Sequence, residues 1–586
     1  MTATAQSQIG QAASSAHIEY LNQQEGATTM NIIKNLDSQK IIKSIEPYQV
    51  VTFDVFDTLV KRDIKSFKDM VSLMDEEYFH KTNQHLPIYF YRERLHAPKI
   101  VRKNHPNKDV NLNDIYNVLH IKNKDMVKNI ECRMELKCAV ANKTIYEVYK
   151  YCLESGKRIY AISDMYLPEE CIRKMLEKCG YNIEKIYVSQ EHNASKGSGK
   201  LFQIFLTKNN ITPDKVIHIG DNYKADILGA QKNRISSILI PNINDRLRYS
   251  KQNVKRSAEK NILYQSINNR LAFIENIAEK TGYEVLGPIL YYFVRWLEIE
   301  LKNNDINKVY FLSRDGYLIK KAYELLSDQN NLDIYYLSLS SKSVKNAYRN
   351  QKQQRNLLVQ YLKQNMMYGK VAIIDIGWSG RLHKMLREIS AEFADIYGFY
   401  FGTFKAFYKN VKNAGNGYIA VNRNTRAKIY MNAGFIELLF SDTLHGTTES
   451  YTASNGNVFP ILSQPNPNGE IIRKIQAGAL KFVSEWKNSE FSNFNYTSDF
   501  LLKPLLNLCM HPKPEDLDLL SKEFVGSGTE YEYISGREVS NLNLFAFARE
   551  LQNACWKGGF LSKSFQLPIL NKLYEIINPL FLYYKV

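Results

Sequence analysis

At 586 residues, 44% of them hydrophobic and 23% charged, the chain is long enough for more than one domain and apolar enough for real cores. Its net charge of +17 favours anionic partners such as phosphorylated sugars, nucleotides, acidic polymers or an anionic membrane face; no Lys/Arg block resembles a nucleic-acid tail, which sets nucleic acid aside. The seven scattered cysteines contain no CxxC pair and no stretch approaches about 18 uncharged apolar residues, so a disulfide framework, a zinc site and a transmembrane helix are excluded as expectations, and reduced thiols in a cytoplasm fit best.

Residues 1–45 read as a polar to helical N-terminal segment without the positive start or apolar core of a signal peptide. Val50–Phe53 is a short apolar run, the pattern of a buried parallel strand, and it ends in the carboxylate of Asp54 with a hydroxyl at Thr58. A carboxylate at a parallel strand's end lies where open α/β sheets bind ligands; a helix cap is the alternative. Helical apolar spacing then fills Ser66–Phe79, Tyr91–Lys103, Asn111–Leu119 and Lys124–Leu153. From Lys157 strands and helices alternate. The strands are Ile159–Ser163, Lys185–Ser189, Val216–Ile219 and Ser237–Ile240; the helices are Pro168–Lys178, Lys200–Lys208 and Lys224–Lys232. Such alternation implies a parallel sheet covered on both faces. Three polar loops stand out: Ser163-Asp164-Met-Tyr-Leu-Pro168, Ser195-Lys196-Gly197-Ser-Gly199, and Gly220-Asp221-Asn222 with Asp226 beyond it.

An aspartate, a hydroxyl, a lysine and an acid pair, in that order at strand ends, resembles the haloacid dehalogenase-like (HAD) superfamily over roughly Tyr48–Asn242. The wording Phe-Asp-Val-Phe-Asp-Thr-Leu and Ser-Asp-Met-Tyr-Leu-Pro is similar to a large two-domain branch associated with bacterial surface-polysaccharide genes. The resemblance implies a HAD-like domain over 46–245 whose helical cap spans about 64–155. It implies Asp54 as nucleophile, Ser163 and Lys196 on the phosphoryl oxygens, and Mg²⁺ held by Asp54, the Phe56 carbonyl and Asp221, with Asp226 orienting its waters or Lys196. On the cap, Arg92, Arg94, Lys99, Arg102 and Lys103 are candidates to hold an anionic leaving group. One departure stands out. The second Asp of the family's phosphatases, two residues after the nucleophile, is here Phe56. Asp57 is the only nearby acid, and a one-residue slip turns a side chain elsewhere.

Residues 246–282 read as a polar linker and a helix between domains. A second α/β domain is expected over 283–465: the helix Tyr283–Leu301, then strands Lys308–Leu312, Asp333–Leu337, Val371–Ile374 and Asp395–Phe401. Three strands run into polar loops, Ser313-Arg314-Asp315-Gly316, Ser338-Leu-Ser340 and Asp375-Ile-Gly377-Trp378-Ser379-Gly380. A second site of Arg314, Asp315, Asp375, Gly377 and Gly380 is expected there, with His445 a candidate acid or base; the alternative is that the acids are caps and the glycines serve turns. Met431–Phe440 reads as a helix, Ser450–Leu462 as a hairpin turning at Asn455-Gly456, and 466–586 as mainly helical, with peripheral membrane contact left open for the apolar Leu567–Val586.

The expected architecture is thus a HAD-like Rossmannoid parallel sheet with a helical cap, followed by a second Rossmann-like α/β domain and a helical C-terminal region. The expected activity is Mg²⁺-dependent phosphoryl hydrolysis or transfer on a phosphorylated sugar, nucleotide sugar or polysaccharide precursor. The alternatives are a glycosyl- or phosphotransferase with its chemistry in the C-terminal domain, and a catalytically weak binding or regulatory module. Carbon–halogen hydrolysis is disfavoured by the acid pair Asp221/Asp226, which a metal-free reaction would not need.

Overall fold

The computed structural model describes residues 30–33, 36–242, 246–250, 257–327, 332–349, 352–420, 423–466, 469–522, 524–527, 530–533 and 550–565. The loose segment expected before Met30 and the helix expected over Leu567–Val586 lie outside these residues. The chain divides into two compact units, Met1–Arg246 with Gln252–Phe273, and Leu247–Lys251 with Ile274–Val586.

In the first unit the strands are β1 (Met30–Ile32), β2 (Val50–Phe53), β3 (Val60–Arg62), β4 (Ala139–Ala141), β5 (Arg158–Ser163), β6 (Lys185–Val188), β7 (Val216–Gly220) and β8 (Ser236–Leu239). Six of them form an all-parallel sheet in the order β1-β8-β7-β2-β5-β6. Every residue of the central β2 and β7 is buried, which is why both read as mainly apolar runs, interrupted only by Thr52 and His218. From β2 the chain builds outward through β5 and β6, then crosses to β7 on the other side. The strand order therefore reverses between β2 and β7, where a crevice opens at the strands' carboxyl ends.

The long connection from β2 to β5 is helical, as expected: Phe67–Thr82, Phe90–Asn104, Leu112–Asn117, Lys124–Cys138 and Lys143–Glu154. The first of these starts at a capping box formed by Ser66 and Asp69. Two corrections apply here. β3 and β4 pair antiparallel at the base of the insertion, which was expected to hold no strand, and β1 extends the sheet from a segment expected to be only polar or helical. Three-residue strands are too short to show a period of two. The helix Ala258–Leu271, expected between domains, packs within the first unit on Phe67–Thr82. Its Asn261 donates to Asp69 (2.9 Å), and Asn269 and Arg270 both donate to Asp63 (2.8 and 3.0 Å).

The second unit contains β9 (Lys308–Leu312), β10 (Asp333–Leu337), β11 (Gly369–Trp378), β12 (Ala394–Thr403) and β13 (Gly415–Ala420), a parallel sheet ordered β10-β9-β11-β12-β13. Its order reverses between β9 and β11. β13 was not expected; two glycines in six residues weaken its strand signal. The expected helix Met431–Phe440 is two helices, Arg423–Met431 and Ala433–Phe440, that meet at Asn432. The hairpin Thr448–Ser454/Asn457–Leu462 turns as expected at Asn455 and Gly456, both at positive φ (50° and 77°), the conformation this dipeptide favours. Among the described residues no helix is long and apolar enough to cross a membrane.

Candidate active site

β2 delivers Asp54 to the sheet edge, and the Asp54 amide donates to the Ile219 carbonyl (2.9 Å), tying it to β7. Ser163 closes β5 and is 1% exposed. Asp221 follows β7 directly. Asp226 returns to the same place because Asn222 caps the π-helical turn Tyr223–Leu228, accepting from the Lys224 and Ala225 amides (3.1 Å each), while the Asn222 amide donates to Asp226 Oδ2 (2.9 Å). Gly220 makes that return feasible: a Cβ there would stand 2.3 Å from the Asp226 carboxyl. Lys196 is fixed through its own amide, which donates to Asp164 Oδ1 (2.7 Å).

These elements converge on one hydrogen-bonded chain. Lys196 Nζ donates to Asp54 Oδ1 and to Asp226 Oδ1, both at 2.5 Å. His218 Nε2 lies 3.1 Å from Asp226 Oδ1, and its Nδ1 lies 2.8 Å from Thr52 Oγ1. Burial lowers the His218 pKa against the pull of Asp226, and the nitrogen facing that carboxylate donates to it. Asp54, Asp221 and Asp226 each offer an oxygen within 4.8 Å of the others. Burial pushes the Asp54 carboxyl up to about 8; Lys196 opposes this, and Asp226 and Asp221 add to it. Asp221 is pushed up to about 6 by burial and by Asp57 and Asp226. Asp226 is buried too, yet Lys196 and His218 hold it well below the carboxylate range. Three hard oxygen donors against one ammonium is a cluster short of positive charge, which fits a divalent cation.

The structure places Asp54, Ser163, Lys196, Asp221 and Asp226 at one edge of the sheet. Asp57 stands apart. It sits at φ 60°, a conformation that favours glycine, and its Oδ1 faces Lys61 Nζ at 3.4 Å. Phe56 is half-buried, with the Arg62 guanidinium 5.2 Å over its ring. Of the cap cations, Arg94 is corrected. It is 3% exposed and donates twice to Glu131 (2.9 and 2.5 Å), so its charge is already spent inside the cap. Unforeseen were Asp164, His218, and the pair Arg62–Glu135 (3.4 Å) beside a cleft of about 490 Å³. His218 stands in register with Thr52, and a histidine inside an apolar strand run was its signal. Glu131 and Glu135, four apart on the apolar face of Lys124–Cys138, were the signal for the cleft.

In the second unit Asp315, just past β9, comes near Asp375, which lies within β11 because that strand runs on to Trp378 instead of ending at Ile374 as expected; Glu437 from Ala433–Phe440 joins them. Ser441 donates to Asp315, and Trp378 Nε1 donates to Glu437 (2.9 Å). Burial raises all three acids: Asp375, well above its usual range, also feels Asp315, and Glu437 reaches about 7 through burial and Asp315, eased by Trp378 and Arg314. Gly377 and Gly380, both at positive φ (135° and 69°), are also required by packing. A Cβ on Gly377 would stand 2.1 Å from the Gly402 carbonyl, and one on Gly380 2.5 Å from Val411. His445 projects to solvent, 66% exposed, against Asp442 (2.7 Å). A carboxyl whose folded pKa exceeds its unfolded one costs stability as pH rises between the two values. Glu437→Gln, which keeps the Trp378 bond, is therefore expected to flatten the loss of thermal stability between about pH 4.5 and 7; an unchanged pH slope would mean that Glu437 titrates normally.

No family model matches the chain, and no curated protein matches it. Solved structures that it resembles include YfnB of Bacillus subtilis, designated a HAD-hydrolase and bound to magnesium (15% identity, 33% of this chain and 89% of that one, TM-score 0.26). They also include a 2-haloacid dehalogenase from Pseudomonas syringae pv. Tomato DC3000 (12%, 37% and 97%, 0.26) and a predicted phosphoglycolate phosphatase from Haemophilus somnus 129PT (14%, 33% and 85%, 0.24).

Proposed function

We propose that the first unit is a HAD-like, Mg²⁺-dependent phosphohydrolase or phosphotransferase that acts through an aspartyl-phosphate on Asp54, with a phosphorylated sugar or nucleotide sugar as substrate. The observation that carries this reading is the convergence of Asp54, Asp221, Asp226 and Lys196 at the point where the strand order reverses. Asp54, Asp221 and Asp226 would hold the ion, which when bound would offset the repulsion between a carboxylate and an anionic phosphoryl group. In the first step an Asp54 oxygen forms a bond to phosphorus as the bond to the leaving oxygen breaks. The leaving group departs with the electron pair and takes up a proton. Lys196 and Ser163 face the non-bridging oxygens, where charge gathers in transfer. In the second step water, or an acceptor hydroxyl, attacks phosphorus, gives up its proton and returns Asp54 to the free carboxylate.

His218 and Asp164 support the reading as positioning residues: one fixes Asp226 from below, the other the Lys196 backbone. The direct experiment is a panel of phosphorylated metabolites assayed with and without Mg²⁺, in which phosphate release should require the ion. Calorimetry adds a binding test. Asp221→Ala should weaken Mg²⁺ binding at least about tenfold, the scale seen when an ion's immediate surroundings are altered. Equal affinity in the variant would make Asp221 a structural acid and remove the metal from the proposal.

A further inference from the structure

The cleft beneath the helical insertion is lined by residues that neighbour the candidate site in sequence. Met165 and Tyr166 on its wall follow Ser163 and Asp164 directly, and Arg62 at its rim stands over Phe56. Most of its wall is apolar: Ile64, Phe67, Leu95, Pro98, Met165 and the Tyr166 ring. The charged residues that line it are Arg62, Lys65, Arg94 and Glu135. Arg94 donates through Nε and Nη2 to both oxygens of Glu131, whereas Glu135 keeps one oxygen unpaired. It is 1% exposed, Arg62 Nη1 donates to its Oε1 at 3.4 Å, and its Oε2 is buried with no hydrogen-bond partner. A buried carboxylate oxygen without a donor costs on the order of the bond that it lacks, so it persists where something else supplies that donor. An alkyl group would leave the oxygen bare. A neutral, hydroxylated group satisfies both the apolar wall and the oxygen.

Resting on the phosphoryl-transfer reading above, we propose that the cleft seats a sugar-like leaving group, its CH edges against Phe67, Met165 and Tyr166 and one hydroxyl donating to Glu135 Oε2. Glu135 is then a specificity residue that selects polyhydroxylated phosphate esters over alkyl ones. The effect has an asymmetric origin: a site built to receive a hydroxyl rejects the analogue without it, because its own buried polar group is left unpaired.

The test is calorimetric and uses the full chain carrying Asp54→Asn, which should not consume an ester, with Mg²⁺ present. Glucose 6-phosphate, galactose 6-phosphate and ribose 5-phosphate are each titrated against cyclohexylmethyl phosphate, which has a six-membered ring without hydroxyls. At least one sugar phosphate should bind about tenfold or more tightly than the alkyl ester, the scale of one hydrogen bond to a charged group. In a Glu135→Gln background the amide oxygen is expected to turn to Arg62 and the NH₂ to the cleft, and that preference should fall to within about threefold. If the alkyl ester binds as well as every sugar phosphate, or if the preference survives Glu135→Gln, the inference is overturned while the phosphoryl reading stands. If no ester binds at millimolar concentration, both fall. The ligand comparison needs no change at position 135, so it decides the matter even if Glu135→Gln does not fold.

Discussion

Replacing Asp54 by Asn is expected to abolish Mg²⁺-dependent phosphate release while leaving the fold intact. The amide has nearly the carboxyl's shape and no nucleophilic oxygen at neutral pH. Removing a covalent nucleophile elsewhere costs up to about 10⁶-fold in turnover, so a fall of more than about 10³-fold is the expected result. The fold should tolerate the change for an electrostatic reason. Burial already disfavours the charged form of Asp54, with its carboxyl pushed up to about 8, and Lys196 keeps Asp226 as its second partner at 2.5 Å. The melting temperature should therefore hold or rise. As a control, Asp315→Asn in the second unit should leave phosphate release unchanged. Turnover within tenfold of wild type in Asp54→Asn, or a collapse in Asp315→Asn, would move the chemistry away from β2.

The second large effect concerns Phe56. Hydrolysis through an aspartyl-phosphate moves a proton in each step, up to the leaving group and then away from water. A phenyl ring two residues beyond Asp54 does neither. Its face is covered by Arg62, and Asp57, near Asp221, is turned to Lys61. Departure of the leaving group then favours weak bases such as anhydrides and acyl phosphates, while attack by water slows for every substrate. Exposure to a small acyl phosphate is expected to leave a long-lived adduct of phosphate mass on Asp54. Phe56→Asp should speed its release by about 10²-fold, the lower end of general-base effects, and the new carboxylate would have Arg62 beside it. Should wild type cleave simple alkyl phosphates at ordinary phosphatase rates without a detectable adduct, another group supplies the proton and Phe56 is no handicap.

The residues differ in how far they could be read in advance. Asp54, Ser163, Lys196 and Asp221 were legible because each ends an apolar run or stands in a Gly-rich turn, and Asp226 through the motif order of the family the chain resembles; strand ends in a parallel sheet share one edge. Glu135 and Arg94 were not legible in their roles. Both are charges on a helix with apolar neighbours, and only packing decides which charge is matched: Arg94 takes both oxygens of Glu131, while Glu135 keeps one oxygen unpaired. The second-unit glycines show the same limit. Gly377 and Gly380 look like an anion loop in one dimension, and in three dimensions the Gly402 carbonyl and Val411 occupy the space that a Cβ would need.

Local patterning therefore determined the α/β class, most of the long strands and helices, and the order of the reactive residues along the chain, because burial of apolar faces imposes periods that a sequence displays. Tertiary structure decided the rest: the short strands β1, β3 and β4, the membership of Ala258–Leu271 in the first unit, the His218–Asp226–Lys196–Asp54 chain, and the unpaired oxygen of Glu135. Each of these depends on contacts between residues far apart in the chain. Such contacts are set by how packed elements exclude water and match charges, and no local period records them.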